Sequence, residues 1–235
     1  MPDSLLVIEP VHEISDLQKV LDLETRVWEG AEPVPVSLLR VFAQEGGLVL
    51  LAFWDGKPAP VGMAVAFSGR RHGQWYLHSH MLAVLPAFRR LSVGRALKHY
   101  QLQYAAEHDM AYVGWTFDPL QRKNAHLNLN VLGGVATDFY PNFYGVLGDA
   151  INGEFPSHRL FIEWGWSVPS TGSGRFLAIP DDIDAVRRTD PQKALWWADR
   201  FQRKMEVLMS RNYVVVGIVS DRRDRWFYQL QRRSG

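Results

Sequence analysis

Hydrophobic positions along the chain change their period several times, and each change marks an element. Residues 5–8 are a short apolar run closed by Pro10. Ser15 with Gln18 three residues later forms a capping-box signal. Ile14, Leu17, Leu21 and Trp28 then recur near the 3.6 period, with Lys19, Asp22 and Arg26 off that face, which predicts an amphipathic helix. Pro33 and Pro35 interrupt, and a second short helix fits residues 37–44. Three strand patterns follow at 48–54, 61–67 and 75–84, separated by DGKPAP and SGRRHG, both rich in turn formers, so they read as an antiparallel meander.

After Pro86 the period returns to helical, with Val93, Ala96, Leu97, Tyr100 and Tyr104 marking a helix to about His108. Residues 112–117 read as a strand, 121–132 as a helix stopped by Gly133 and Gly134, and 135–140 and 159–164 as strands. The stretch SVPSTGSG at 167–174 reads as a linker between a core at 1–166 and a block at 175–235. In that block Asp190 and Pro191 open a strong amphipathic helix through Ala194, Ala198, Phe201, Met205 and Leu208. Residues 213–219 and 225–230 form a hairpin pattern around SDRRD. The fold class is therefore α/β, a mixed and mostly antiparallel sheet flanked by helices, with a helix and hairpin appended at the C-terminus.

Composition narrows the function classes. The 235 residues are 47% hydrophobic and 22% charged, with 9 Trp, 12 Phe and 8 Tyr, a globular rather than a disordered balance. The net charge of +1, from 26 basic and 25 acidic residues, gives no global field towards nucleic acid or an anionic membrane. No cysteine is present, which excludes disulfides, thiolate metal sites and a cysteine nucleophile. Acids stand in MPDSLLVIEPVHE where a signal peptide needs a basic flank, and no stretch approaches a membrane span, so the expectation is a soluble cytoplasmic protein.

The chemistry concentrates at LAVLPAFRRLSVGRAL, residues 82–97, where a strand, a short loop and a helix start meet. A helix N-terminus presents free backbone N–H groups to an anion, and Gly94 lets that anion approach closely. By itself, one glycine beside Arg89, Arg90 and Arg95 fits a solvated helix start equally well. His78 and His80 lie on the preceding strand, and alternation puts them on one face with Tyr76 and Leu82. Imidazole titrates near neutrality, where it can take a proton from an ammonium. The competing explanation is two satisfied core or surface histidines. A metal pair lacks a third ligand at convincing spacing.

The segment resembles the acyl-CoA-binding motif of the GNAT superfamily, Q/R-x-x-G-x-G/A after a strand ending in a V-x-P-like step. Arg89 and Gly94 match it, with Ala96 two residues on, while Ser92 stands where the first glycine is usual. The order of elements from about residue 5 to 165 matches the GNAT fold as well. The string HSHMLAVLPAFR is similar to the corresponding strand of arylalkylamine N-acetyltransferases, in which a His-x-His pair relays the amine proton through water. Position 78 also corresponds to the strand glutamate that acts as base in histone-type members.

The resemblance implies acetyl-CoA or another acyl-CoA as co-substrate, without a metal. Its contacts would be Leu82, Ala83, Val84, Arg89, Arg90, Ser92, Val93, Gly94, Arg95 and, at the pantetheine arm, Asn124, for which a helix cap is the competing role. Backbone N–H groups at 81–84 would hold the thioester oxygen. The tyrosine that often protonates the departing thiolate is replaced by Leu129 and Asn130; Tyr140 and Tyr144 are the nearest substitutes, Tyr144 being the one assigned.

Elsewhere, Arg70, Arg71 and His72 read as a solvated hairpin tip, RRDR at 222–225 as a charged turn, and Glu163 as an acid needing a partner if buried. The leading expectation is transfer of a short acyl group from acyl-CoA to the primary amine of a small molecule, an amino acid or an arylalkylamine, by direct attack. The alternative is a non-catalytic acyl-CoA or metabolite-binding module. Trp196, Trp197, Trp226 and Phe227 exceed what a lone hairpin needs and point to a homodimer as a third reading of the C-terminal block.

Overall fold

The computed structural model describes residues 6–28, 32–145, 155–165 and 170–233. Leu5 and positions 167–169 of the expected linker lie outside the described residues. The chain divides into two compact units, residues 1–114 and 115–235. That division does not fall in the 167–174 stretch, whose last five residues are built into a strand.

In the first unit, β1 (Leu6–Pro10), β2 (Leu48–Trp54), β3 (Gly62–Arg71) and β4 (Gln74–Val84) form an antiparallel run in that order. The start of β5 (Val113–Phe117) pairs parallel with β4 at Leu77 and His78. The β3–β4 hairpin is tighter than the turn-rich string suggested. Arg70 and Arg71 remain in the ladder, and His72 and Gly73 alone make the turn, both at positive φ, the primed geometry that matches strand twist.

Helices α1 (Ile14–Val27) and α2 (Val36–Gln44) cover one face of this sheet. Leu17, Val20, Leu23, Leu39 and Ala43 bury against Val49, Leu51, Met63, Val65 and Ala83. The expected capping box is not formed: Glu13 is the N-cap, with no side-chain capping bond, and Ser15 lies inside the helix. Helix α3 (Val93–Glu107) covers the other face, with Val93 and Leu97 closing on Gly62, whose neighbour Met63 points the opposite way. Its buried stripe is Val93, Leu97, Lys98, Gln101 and Ala105, rotated from the expected one because two polar residues are taken inside.

In the second unit, β6 (Val135–Tyr140) pairs with β7 (Arg159–Trp164) and with β9 (Tyr213–Ser220), while β10 (Trp226–Arg233) pairs with β9 and with β8 (Ser170–Ile179), all antiparallel. The hairpin expected as an appendage is thus continuous with this sheet through Ala136 and Val215. Ser170 and Thr171 pair with Arg233 and Arg232, so small polar residues that read as a linker serve as the start of a ladder. The helix expected at 121–132 is a short α4 (Arg122–Ala125) continued by a π turn over His126–Val131.

Two helices complete the unit, α5 (Ile183–Thr189) and α6 (Pro191–Ser210). Asp190 caps α6 by accepting from the Lys193 N–H, as its position before Pro191 implied. Asp118 pairs with Arg187 at 2.9 Å, and the Tyr228 hydroxyl donates to the Pro119 carbonyl at 2.6 Å, which ties the end of β5 into this unit. Glu163 is buried as feared, and its partner is Thr137, whose hydroxyl donates at 3.1 Å.

Candidate active site

Strand β4 carries the histidines, and one irregularity decides where they point. Ser79 pairs with Ala66 and Met81 with Val65, so His80 is an extra residue, a β-bulge. Before the bulge Phe67 pairs with His78, and their rings lie 4.8 Å apart. The His80 ring lies 6.0 Å from the same phenylalanine and 6.3 Å from His78. The two imidazoles therefore meet on one face, as alternation suggested. Leu82 does not join them. After the bulge Met81 and Ala83 take the α1–α2 side, and Leu82 and Val84 turn under α3, where both lie against Gly94. The expected grouping of Leu82 with the histidines fails because one inserted residue exchanges the faces.

Tyr76 supports His78 from two residues earlier on the same face of the strand. Its ring lies across Gly69, where a Cβ would come within 2.6 Å of it, and stacks on Tyr112 at 5.0 Å. Its hydroxyl lies 3.3 Å from His78 Nδ1. For His78 to accept a proton at Nε2, Nδ1 must carry the ring hydrogen and donate it to Tyr76.

Burial, then the neighbouring His80 and Lys98, bring His78 down to about 4. His80 is more exposed, yet burial still lowers it. Both imidazoles are neutral at physiological pH and can act as proton acceptors. Beyond His78, β4 has no ladder partner on its β5 side among the described residues, so its backbone there is open to a ligand carbonyl.

The strand leads through Leu85 and a single 3₁₀ turn, Pro86–Phe88, to the start of α3. Ser92, at the N-cap, has φ 61° and ψ 12°, the left-handed region. This explains why a glycine is usual in the motif: the position needs a conformation that a Cβ disfavours. The Ser92 side chain makes no capping bond, so its hydroxyl leaves the first helical N–H groups uncovered. Ala96 N–H bonds the Ser92 carbonyl, so the N–H groups of Val93, Gly94 and Arg95 are those the helix start presents.

At Gly94 a Cβ would sit 3.5 Å from Leu82 and 3.6 Å from Val84, ordinary contact, so packing alone does not demand glycine there. Replacing Ser92 with glycine should raise stability by about 0.5–1 kcal/mol by relieving the left-handed conformation. Urea unfolding checks it, and an unchanged or lowered midpoint would contradict the strain.

Arg89 has a second task that the sequence did not show: its Nε donates to the Val84 carbonyl at 3.1 Å and ties the loop to the strand end. Arg90 and Arg95 are exposed, Arg95 Nε lying 3.5 Å from His99 Nε2. Val93 is fully buried, so it reaches a ligand only through its backbone.

In the second unit Asn124 is exposed on α4, whose N-cap is Gln121, so capping is not its role. Leu129 is buried, and the Asn130 side chain both donates to and accepts from the Ile218 backbone at 3.0 Å, copying a strand edge. Tyr140 stacks on Phe143, a packing role. Tyr144 is 42% exposed, with the Arg159 guanidinium over its ring at 5.1 Å and the Thr116 hydroxyl 3.5 Å from its own.

Among the described residues no group of three or more His, Cys, Asp or Glu is placed to hold a metal ion, and no helix is long and apolar enough to cross a membrane.

Comparison with known proteins agrees with this layout. Residues 15–127 match the acetyltransferase (GNAT) family. The fold is similar to that of Naa50 from Arabidopsis thaliana in complex with a bisubstrate analogue, at 17% identity, TM-score 0.54, over 68% of this chain and 99% of that one. The ribosomal-protein-S18-alanine N-acetyltransferase from Escherichia coli aligns at 16% identity, TM-score 0.53, over 69% and 96%. Ard1 from Thermoplasma volcanium aligns at 20% identity, TM-score 0.51, over 67% and 95%. A sequence search of curated proteins found no match.

Proposed function

We propose, from the match of residues 15–127 to the acetyltransferase (GNAT) family, that the chain transfers an acetyl or other short acyl group from acyl-CoA to the primary amine of a small molecule, such as an amino acid or an arylalkylamine. The pyrophosphate of the coenzyme lies on the N–H groups of Val93, Gly94 and Arg95, with Arg89 and Arg90 beside it. The thioester oxygen is held by backbone N–H groups at 81–84. His78 removes the proton from the acceptor ammonium, and the freed nitrogen attacks the thioester carbon. As the C–S bond breaks, the nitrogen gives up its second proton, which passes to the departing sulfur, so the products are the amide and the free CoA thiol. The observation that carries this reading is the bulge at His80, which brings both imidazoles onto one face immediately before an anion-receptive helix start.

A second reading, an acyl-CoA or metabolite sensor without turnover, draws on Ser92 in the glycine position and on Leu129 and Asn130, which are committed to packing and to Ile218 where a tyrosine acid is usual. Release of free thiol from acetyl-CoA and succinyl-CoA separates the two. The amine panel should include amino acids, arylalkylamines and peptide N-termini, since proteins of similar fold carry names of protein acetyltransferases. At least one small amine should accelerate release. Acyl-CoA binding with no acceleration by any amine would replace the transferase by the sensor, and acceleration by peptides alone would move the acceptor class.

A further inference from the structure

Lys98 lies on the face of α3 that packs against the sheet, 8% exposed, and its Nζ donates to Ser79 Oγ at 2.8 Å. A lysine so placed is expensive, and burial brings it down to about 7. Gln101, one turn further along the same face, is fully buried, and neither end of its amide has a partner among the described residues. Leucine at both positions would fill this helix–sheet layer more cheaply, as Val93, Leu97 and Ala105 do around them. Lys98 sits directly behind the bulge: Ser79, which it bonds, is the residue before His80 and the residue after His78.

We propose that Lys98 is a positioning residue of the acyl transfer: through Ser79 it pins β4 at the bulge that brings His78 and His80 together, and its charge bears on His78 from the opposite face of the sheet. The inference rests on His78 being the base. The groups that face His78 are the His80 ring, the Phe67 ring, the Tyr76 hydroxyl and, through the sheet, Lys98. His80 and Lys98 both disfavour the protonated His78. Lys98 becomes charged as pH falls through about 7, so its repulsion sets in where an ordinary imidazole at 6.5 would begin to take a proton. The base is thereby held in its neutral form further into acid.

The test uses the full chain with Lys98→Met, Lys98→Gln and Ser79→Ala, following the His78 imidazole titration by NMR and the pH profile of kcat/KM. Lys98→Met should move the His78 titration upward from about 4 and carry the acid limb of activity with it, lowering kcat/KM several-fold between about pH 4 and 5. Lys98→Gln, which keeps a donor to Ser79, should move the titration in the same way. Ser79→Ala keeps the charge and loses the pin, so kcat should fall several-fold at every pH with the limb in place. An unmoved titration and limb in both Lys98 variants, with His78→Ala still lowering turnover, would overturn the role of Lys98 and leave the base standing. Full turnover in His78→Ala would instead remove the base reading and the role of Lys98 in the reaction with it.

Discussion

Replacing His78 with alanine will lower kcat by about 10²- to 10⁴-fold, the range that a positioned general base contributes, and leave the KM for acyl-CoA nearly unchanged. The separation follows from the layout: His78 sits on β4 before the bulge, whereas the anion-receptive N–H groups belong to Val93, Gly94 and Arg95. His80→Ala should fall by about tenfold, because a ring that is more exposed can be replaced in part by water. The pH profile carries a second check. Free His78 is held down to about 4, so protonation silences the base only well below the ordinary 6.5, and the acid limb of kcat/KM lies under that value. Bound acyl-CoA adds negative charge nearby and favours the protonated ring, so the limb of kcat lies at higher pH than that of kcat/KM. Initial rates of thiol release between about pH 4 and 9 decide both points. A wild-type limb of kcat/KM at or above 6.5, or full turnover in His78→Ala, contradicts the assignment.

Stability will climb as pH rises from 7, which is unusual for a globular protein. The ordinary lysine value is 10.5 and Lys98 in the folded chain is near 7, so between these values the unfolded chain binds the extra proton. The stabilisation is complete above 10.5 and is lost as pH falls towards 7, on the order of a few kcal/mol over the window. His78 acts in the same sense lower down, its contribution being lost as pH falls from 6.5 to 4. Tyr104 and Tyr228 oppose the rise near pH 10, since both are raised by burial and stabilise only while the unfolded phenol would keep its proton. Lys98→Met removes the buried ammonium and should be more stable than the wild type at pH 7 by about 2 kcal/mol, after the loss from leaving the Ser79 hydroxyl unpaired. That gap should close as pH rises and change sign before pH 10. Urea midpoints of the two proteins across this range measure it, and a gap independent of pH would mean that Lys98 does not titrate in the folded chain.

Much of this was legible in the chain. Residues 48–54, 135–140 and 159–164 were bounded as strands where the structure has them, because apolar runs between turn formers leave little alternative. The Asp190–Pro191 helix start was equally plain, since its cap and its first residue act locally. What escaped depends on neighbours distant in sequence. Ser170 and Thr171 form strand only because Arg233 and Arg232 pair with them. Lys98 and Gln101 look like solvent positions on a helical wheel and are buried because α3 meets the sheet along that stripe. Ser92 hid a backbone conformation behind an ordinary residue type. Arg89 was read as a ligand contact, while its bond to the Val84 carbonyl requires knowing how the loop folds back.

The bulge at His80 gives β4 two parities. Up to His78 the even positions face α1 and α2, and from Met81 onward the odd ones do. Side-chain replacements leave this arithmetic alone, whereas losing or gaining one residue between Ser79 and Met81 would cancel the change of parity. Either the histidines or the Leu82–Val84 floor beneath Gly94 would then turn to the wrong side. The strand should therefore accept many exchanges of residue and almost no change of length, and its length at this point is a sharper signature of the candidate site than the identity of any one residue in it.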